Sequence, residues 1–258
     1  MNNSKKRIGI SFSGGGARGI AHVGVLQYLL ELGLTPTAVS GTSAGAIAGA
    51  LFAAGLSPLE ILERVKVNSV FKVFTIKNLK FGLSDHSYLR QILVESLPAD
   101  DFGALKVPFY ACATNLTLGK WEILSEGSVV DAVVASSSIP VVFHPVKIKD
   151  YLYVDGGLLN NLPIEPLKQH NLKIIGININ IHGPQDGIDG IFSITKRIFD
   201  LALWANTESR FRKCDLGIDI QETYEFGIFE FDKYQELFEV GYNAAKRHHE
   251  QIVQLIEE

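Results

Sequence analysis

The chain has 258 residues, of which 47% are hydrophobic and 20% charged, and this balance supports one well-buried α/β domain. Lys and Arg total 24 against 28 Asp and Glu, so the formal net charge of -4 offers no basic surface for nucleic acid. The two cysteines, Cys112 and Cys214, indicate a reducing compartment, although they leave a single disulfide open.

Neither a targeting segment nor a membrane span is predicted. The polar segment 1–7 leads directly into a strand, without the hydrophobic region of a secretory signal. The longest apolar run, 44–56, is short and consists largely of Ala and Gly, which suits a helix packed closely in a core rather than a membrane span. We therefore expect a cytoplasmic protein.

The first half of the chain alternates predicted strands with predicted helices. A strand over 7–13 ends in a glycine-rich stretch, and a helix with an apolar stripe follows and ends at Gly33. A second strand and helix come next. Ser57 and Glu60 then have the spacing of a capping box, which predicts the start of a third helix.

The second half continues this alternation. Its predicted elements are a helix over 88–97, a strand over 106–115 with a hairpin partner over 121–124, a helix over 129–135, strands over 151–154 and 173–180, a helix over 191–213, a strand over 216–220 and a charged closing helix over 234–256. The alternation predicts a mainly parallel sheet covered on both faces. We expect one domain over 1–258, with a motif-bearing core over about 7–166 and C-terminal helices and a strand over about 173–257.

Ser43 lies in the pattern Gly-x-Ser-x-Gly, between Gly41 and Gly45, where a predicted strand meets a predicted helix. This is the pattern of a nucleophile elbow. A sharp strand-to-helix turn strains the serine backbone, so its neighbours on both sides must lack bulky side chains. The turn pushes the hydroxyl out of the sheet edge, and the new helix directs its N–H groups toward the same point. Ser43 is therefore the predicted nucleophile.

The glycine-rich stretch 14–19 matches Gly-x-Gly-x-x-Gly between a strand and a helix, which by itself is a weak indication of dinucleotide binding. That interpretation requires an acidic residue at the end of the next strand, and 40–42 are Ser, Gly and Thr instead. Three consecutive glycines also leave backbone N–H groups unobstructed, so the loop is predicted to form an oxyanion hole. A tight turn that needs glycine only for close packing is the alternative.

Asp155 is the predicted partner that accepts the proton of Ser43. It ends a short strand, and the glycines at 156 and 157 let the chain turn sharply beside another backbone, so its carboxylate can accept the proton directly in a two-residue dyad. A simple Asp-Gly turn without a catalytic role fits these residues equally well. A later histidine is the alternative, as in Ser–His–Asp hydrolases. Of the candidates, His182 at the end of a buried strand is placed like a catalytic base. The others lie in polar or charged segments: His170, His248 and His249.

Three blocks of the sequence resemble, in the same order, the signature blocks of the patatin-like phospholipase family. They are Gly-Gly-Gly-Ala-Arg-Gly at 14–19, Gly-Thr-Ser-Ala-Gly at 41–45 and Asp-Gly-Gly at 155–157. The stretch 135–143 is also similar to the family's segment before the aspartate. The resemblance extends from the first strand to about Pro166.

This resemblance implies a three-layer α/β/α sandwich with a central, mainly parallel sheet, and a Ser43–Asp155 dyad that works without histidine. It also implies hydrolysis of acyl esters in phospholipids, lysophospholipids or other lipids, with no metal and no other cofactor. By position, Gly15 and Gly16 correspond to the N–H donors of the oxyanion hole. Arg18 corresponds to the family's basic position, where contact with substrate is one role and a solvated or helix-orienting charge is the other.

Two segments are candidates for contact with lipid. Residues 69–83 mix aromatic and aliphatic side chains without clear periodicity, which suggests a wall or lid over an acyl chain. The lysines at 72, 77 and 80 would then make transient contact with a membrane surface, whereas ordinary core packing with lysines in water is the more common arrangement. Residues 188–204 carry apolar side chains at helical spacing, which are more typical of a helix facing the core than of a membrane or dimer surface.

The function that the sequence favours is a serine-dependent lipid acyl hydrolase. Two other classes stay open: a serine esterase or acyltransferase that uses His182 as its base, and a non-catalytic phosphate- or nucleotide-binding module built on the glycine loop. Hydrolysis and acyl transfer share an acyl-enzyme, so the motif residues alone do not separate those two reactions.

Overall fold

A mixed sheet forms the centre of the computed structural model, which describes residues 7–67, 86–180 and 183–257. The strands in these ranges are β1 (Ile8–Phe12), β2 (Ala38–Thr42), β3 (Phe109–Asn115), β4 (Lys120–Leu124), β5 (Val146–Ile148), β6 (Tyr151–Asp155), β7 (Lys173–Asn178) and β8 (Leu216–Asp219). They follow the hydrogen-bonded order β5-β6-β3-β2-β1-β7-β8, and β4 also pairs with β3. The strands from β8 to β3 are parallel, whereas β4, β5 and β6 are antiparallel to their neighbours.

Helices lie on both faces of this sheet. Those in the described ranges are α1 (Ile20–Glu31), α2 (Ala44–Ala53), α3 (Pro58–Val67), α4 (Ser87–Ser96), α5 (Val129–Ser136), α6 (Glu165–Gln169), α7 (Gly190–Phe211), α8 (Tyr234–Arg247) and α9 (His249–Glu257). Alternate residues of a strand point to opposite faces. In β7, Ile175 and Ile177 join the larger core with α1, α2, α5 and α8, while Ile174 packs with Leu167 of α6 on the other face. The predicted three-layer α/β/α sandwich is confirmed.

The predicted helix boundaries in the first half are also confirmed. Gly33 follows α1 with a φ of +79°, a left-handed conformation that glycine adopts without a steric penalty. At the start of α3, the Ser57 N–H donates to Glu60 Oε2 at 2.7 Å, and the Glu60 N–H donates to Ser57 Oγ at 3.3 Å. These reciprocal bonds form the capping box that the sequence predicts.

The predicted closing helix over 234–256 is wrong as a single element, because it is divided into α8 and α9 at His248. The His248 N–H bonds to the carbonyl three residues earlier, at Ala245, which tightens the last turn of α8 and redirects the chain. The change in direction lets Ile252 and Leu255 of α9 reach the core. The short strand β5 was also missed, since Val-Lys-Ile is too short to display a period of two.

The expectation that 188–204 faces the core is wrong for most of its apolar side chains. Leu203 of α7 is buried. Four other apolar residues of this helix are exposed to solvent: Ile191, Ile194, Ile198 and Leu201. The spacing of apolar residues predicted the helix correctly. It does not predict whether the apolar side of that helix packs against the rest of the chain.

Two sequence predictions lie outside the described residues. They are the wall or lid at 69–83, with its lysines at 72, 77 and 80, and the alternative base His182. Within the ranges given above, no helix combines the length and the apolar character needed to cross a membrane. Cys112 is buried, Cys214 is half-buried, and both are free thiols.

The register around β3 determines where the ends of β2 and β6 lie. Along one edge of β3, β4 pairs with residues 111–115. Along the other edge, β2 pairs with residues 109–112 and β6 with residues 113–115, so β2 and β6 follow one another on the same edge. On that edge Thr42, the last residue of β2, is opposite Cys112. Asp155, the last residue of β6, is opposite Ala113. Because β2 and β6 run in opposite directions, their carboxyl ends meet at adjacent positions of β3.

Candidate active site

Ser43 occupies a strained turn between β2 and α2. Its backbone has a φ of 54° and a ψ of -122°, a conformation that residues other than glycine rarely adopt. The turn is so tight that a Cβ atom at Gly41 would overlap the carbonyl oxygen of Gly45, and a Cβ atom at Gly45 would overlap that of Phe12. The two flanking glycines are therefore required for close approach of the backbone, as the elbow motif predicts.

Ser136, at the end of α5, holds the backbone of this turn in place. Its Oγ atom accepts a hydrogen bond from the Ser43 N–H at 2.9 Å and donates one to the Cys112 carbonyl at 2.6 Å. The sequence analysis did not assign this role to Ser136. The only available signal was a run of three serines after an apolar helix, and such a run does not identify its partners.

Asp155, at the end of β6, is buried, with only 1% of its surface exposed, and hydrogen bonds hold both its backbone and its side chain. Its N–H donates to the Ser138 carbonyl at 2.9 Å, and its carbonyl accepts from Thr114 Oγ1 at 3.0 Å. The carboxylate accepts the Gly157 N–H on Oδ1 at 2.8 Å. Asp155 and Ser43 line the same cavity, and the Ser43 side chain favours the ionised form of this carboxylate. The structure thus brings together the two residues that the sequence predicts as a dyad.

Burial controls the charge of this carboxyl group. Removal from water disfavours the ionised form and raises the pKa of Asp155 from its ordinary value of 3.8 to about 7. The Ser43 side chain and the Gly157 N–H favour the ionised form and oppose this rise. A carboxyl group with a pKa near neutrality changes its protonation state at little free-energy cost, which is what general base chemistry requires.

The glycine-rich loop after β1 presents backbone N–H groups to the same site. The N–H of Gly14 donates to Asn161 Oδ1 at 3.0 Å, and the N–H of Ala17 donates to the Ile228 carbonyl at 2.9 Å. Between them, the N–H groups of Gly15 and Gly16 have no hydrogen-bond partner in the described part of the chain. Both glycines line one cavity with Ser43. Gly16 has a φ of +63°, so a side chain there would be strained.

Asn161 ties the glycine loop to the rest of the site. Besides accepting the Gly14 N–H, its side chain donates to Thr207 Oγ1 of α7 at 3.1 Å. Its backbone N–H donates to Asn206 Oδ1, also of α7, at 2.7 Å. Sequence reasoning missed this residue, although its position six residues after Asp155 and its polarity beside an apolar segment were visible signals.

His22 of α1 is a third residue that was missed from the sequence. Its ring is fully buried, and burial lowers the pKa of His22 from 6.5 to about 4, so the imidazole is neutral near pH 7. Nε2 lies 2.8 Å from the Ser13 carbonyl, to which it donates. This bond holds the strand end from which the glycine loop begins.

Arg18 lies in the wall of the cavity that contains Ser43 and Asp155. The side chain is buried, and its Nε donates to the Phe226 carbonyl at 2.7 Å. Burial lowers the pKa of Arg18, while Asp200, Tyr224 and Glu230 favour the charged form. The alternative of a solvated charge is therefore wrong, because the guanidinium is removed from water.

The histidines considered as alternative bases in the described ranges do not line a cavity with Ser43. Their ring nitrogens bond elsewhere: His170 with Tyr110, His248 with Ala244 and His249 with Tyr28. His86, which the sequence analysis did not consider, borders a cavity beside Ser43. Its Nε2 lies 3.0 Å from Ser138 Oγ and 3.1 Å from the His144 carbonyl.

Two mainly apolar cavities adjoin Ser43. The first, of about 230 Å³, lies between the glycine loop, the segment 139–142 and α7, and it includes Asp155 in its wall. The second, of about 120 Å³, lies between α1, α2 and α4. An apolar pocket with a few converging polar groups is the usual form of a small-molecule site.

The site therefore combines a strained serine, a buried carboxylate and two backbone donors at one cavity wall. These are the groups that acyl transfer through a serine uses: a nucleophile, a base and an oxyanion hole. In the ranges that the structure describes, no group of three or more His, Cys, Asp and Glu side chains is placed to hold a metal ion.

Comparison with protein families agrees with this chemistry. The family model described as "Patatin-like phospholipase" matches residues 10–168, more than half of the chain. The chain belongs to the patatin-like phospholipase family. The resemblance seen in the sequence is thereby confirmed.

Curated relatives match the same part of the chain. "Lysophospholipase NTE1" of Cryptococcus neoformans is 32% identical over 179 residues, which are 66% of this chain and 11% of that protein. An uncharacterized NTE family protein of Mycobacterium tuberculosis is 32% identical over 190 residues, which are 72% of this chain and 52% of that protein. The chain thus spans between about a tenth and about half of the length of these relatives.

The fold also has a counterpart among solved structures. VipD from Legionella pneumophila aligns with a TM-score of 0.51 and 16% sequence identity, over 91% of this chain and 67% of that one. At this level of identity the similarity concerns the fold, a central sheet flanked by helices.

The raised pKa of Asp155 predicts an unusual pH dependence of stability. The unfolded chain releases this proton near pH 3.8 and the folded chain near pH 7, so the free energy of unfolding falls as the pH rises between these values. Asp155→Asn removes this effect. Relative to the wild type, the variant should gain up to about 4 kcal/mol of stability between pH 4 and pH 8. Urea unfolding at both pH values measures the difference, and an equal difference at both would contradict the raised pKa.

Proposed function

We propose that this chain hydrolyses acyl esters of lipids, with Ser43 as nucleophile and Asp155 as general base. The observation that carries the proposal is the position of these two residues in the wall of one cavity, together with the burial that raises the pKa of Asp155 to about 7. Gly15 and Gly16 are assigned as oxyanion donors because their N–H groups lack partners in the described chain and border the same cavity.

In the first half of the reaction, Ser43 Oγ attacks the ester carbonyl carbon while the Asp155 carboxylate accepts the hydroxyl proton. The carbonyl oxygen becomes negatively charged and receives hydrogen bonds from the N–H groups of Gly15 and Gly16. When the C–O bond breaks, Asp155 returns the proton to the leaving alcohol. The acyl group is then bonded to Ser43.

In the second half, Asp155 accepts a proton from water, and the resulting hydroxide attacks the acyl-enzyme carbonyl. The same two N–H groups stabilise the second oxyanion. Collapse of this intermediate releases the fatty acid, and the proton on Asp155 returns to Ser43 Oγ. One carboxylate therefore serves as base and acid in turn.

The substrate class follows from the walls of the site and from the family. Two apolar cavities beside Ser43 suit acyl chains, and membership of the patatin-like phospholipases supports phospholipids or lysophospholipids as substrates. The NTE1 relative, which is named a lysophospholipase, agrees with this assignment. Arg18, buried in the wall of the larger cavity, is assigned to contact with the polar part of the substrate.

Removal of either dyad side chain should abolish turnover. Ser43→Ala removes the nucleophile and Asp155→Asn removes the base, so kcat/KM for a fatty-acyl ester should fall at least about 10³-fold in each variant. Hydrolysis of defined phospholipids and of a p-nitrophenyl ester measures this loss.

Matched controls exist for both substitutions. Ser40 is buried in β2, and its Oγ has no hydrogen-bond partner among the described residues, so Ser40→Ala should keep wild-type turnover. Asp150→Asn lies in the exposed turn before β6 and should do the same. Substantial turnover by Ser43→Ala or Asp155→Asn would remove that residue from the mechanism.

The pKa of the base predicts the acid limb of the pH–rate profile. Because Asp155 must be ionised to accept a proton and its pKa is about 7, kcat/KM should rise with pH and level off above pH 7. At pH 5 it should be about a hundredfold below the plateau. A profile that stays flat between pH 5 and pH 8 would exclude Asp155 as the base.

Asn161 should affect the rate rather than substrate binding. Asn161→Ala frees the Gly14 N–H and loosens the loop that carries the oxyanion donors, so kcat should fall about 10- to 100-fold while KM changes little. Thr207→Val is the matched control, because it removes the other partner of the Asn161 side chain and leaves the Gly14 bond. Equal losses of kcat in both variants would show that general destabilisation, and not the loop, is responsible.

A further inference from the structure

An apolar face without a partner in the described chain runs along the first half of α7. It consists of Ile191, Ile194, Ile198 and Leu201, which are all exposed to solvent, Ile191 at 81% and Ile198 at 63%. Their spacing of three, four and three residues places them on one side of the helix. We refer to these four residues as the α7 apolar face.

The other side of α7 is attached to the active site. Leu203 and Thr207 are buried on that side, and Leu203 lines the cavity that contains Ser43. Further along the helix, Asn206 Nδ2 donates to the Gly157 carbonyl at 2.8 Å, next to Asp155. These contacts fix the position of the α7 apolar face relative to Ser43.

The α7 apolar face continues into the cavity wall. Ile198 belongs to the face and also lines the cavity with Ser43 and Asp155. Val141 lines the same cavity and is exposed, and its φ of 70° is a strained conformation for a β-branched residue. Strained residues persist where the surrounding structure imposes them, often at ligand sites. Ile198 therefore joins the exposed α7 apolar face to the cavity that contains Ser43.

The net charge around the α7 apolar face indicates which kind of lipid surface it can bind. Residues 186–201 contain three Asp against one Lys and one Arg, a formal net charge of -1. Arg197 donates to the Gly183 carbonyl at 2.7 Å, which directs its charge toward the loop before the helix. The region is therefore suited to insertion among apolar acyl chains rather than to attraction by anionic head groups.

We propose that the α7 apolar face docks on the surface of a neutral lipid bilayer and places the cavity entrance against the acyl chains. The inference rests on the proposed lipid ester hydrolysis and identifies how that site reaches its substrate. A long acyl chain that leaves the bilayer through water loses its apolar surroundings, which is strongly unfavourable. Apolar side chains on α7 that reach the cavity wall at Ile198 reduce this exposure.

The test compares vesicle binding with turnover of a water-soluble ester. The wild-type chain, Ile191→Asp/Ile194→Asp and a control, Leu59→Asp/Val94→Asp, are floated with phosphatidylcholine vesicles. The control changes two exposed apolar residues on α3 and α4. The bound fraction of the α7 variant should fall at least about tenfold, and that of the control should not change. All three proteins should hydrolyse p-nitrophenyl butyrate within about twofold of each other, because neither pair lines the cavity with Asp155.

Two further measurements distinguish a neutral bilayer from other partners of the α7 apolar face. Salt dependence tests for binding through charge, and sedimentation tests for a second copy of this chain. Wild-type binding should persist from about 0.05 to about 0.5 M NaCl, since it does not depend on charge. Release by salt, equal flotation of wild type and the α7 variant, or no flotation of wild type would each overturn the proposal. So would a wild-type dimer in sedimentation that Ile191→Asp/Ile194→Asp converts to monomer, because the face would then join two copies. Absence of p-nitrophenyl butyrate hydrolysis by wild type would instead refute the proposed function on which the docking rests.

Discussion

Burial of the Asp155 carboxyl group beside Ser43 is the feature on which the rest of the proposed site depends. In water this carboxyl would be a weak base, because it is ionised and well solvated. In the site it is almost fully removed from solvent, and the Ser43 side chain and the Gly157 N–H compensate only part of the lost hydration. The native state therefore contains a destabilised anion whose affinity for a proton suits the activation of a serine. The same burial that makes Asp155 a stronger base also lowers the free energy of unfolding near pH 7.

The rest of the fold maintains this arrangement. The shared edge of β3 brings the carboxyl ends of β2 and β6 together. Ser136 holds the strained turn by accepting a hydrogen bond from the Ser43 N–H. Asn161 and His22 hold the glycine loop, each through one buried hydrogen bond. The proposed catalytic groups are thus placed by backbone register and by buried polar side chains, while the large apolar core supports the sheet that carries them.

Features encoded within a few residues were predictable from the sequence. The elbow around Ser43, the Asp-Gly-Gly turn and the capping box at Ser57 each follow from local backbone requirements. Roles that depend on distant partners were not predictable. Asn161 bonds to Gly14, 147 residues away, and nothing near either residue specifies the other. The exposure of Ile191 was missed for a related reason, since an apolar stripe has the same sequence pattern whether it packs against the core or faces outward.

The ionisation of Asp155 itself provides the most direct test. NMR titration of protein labelled with ¹³C at the aspartate carboxyl carbons, with Asp155→Asn to assign the signal, measures this pKa without reference to turnover. We expect a midpoint near 7 that moves to higher pH in Ser43→Ala, because the Ser43 side chain lowers the pKa of Asp155. A midpoint near 4 that is unchanged by Ser43→Ala would contradict both the burial of the charge and its contact with the serine.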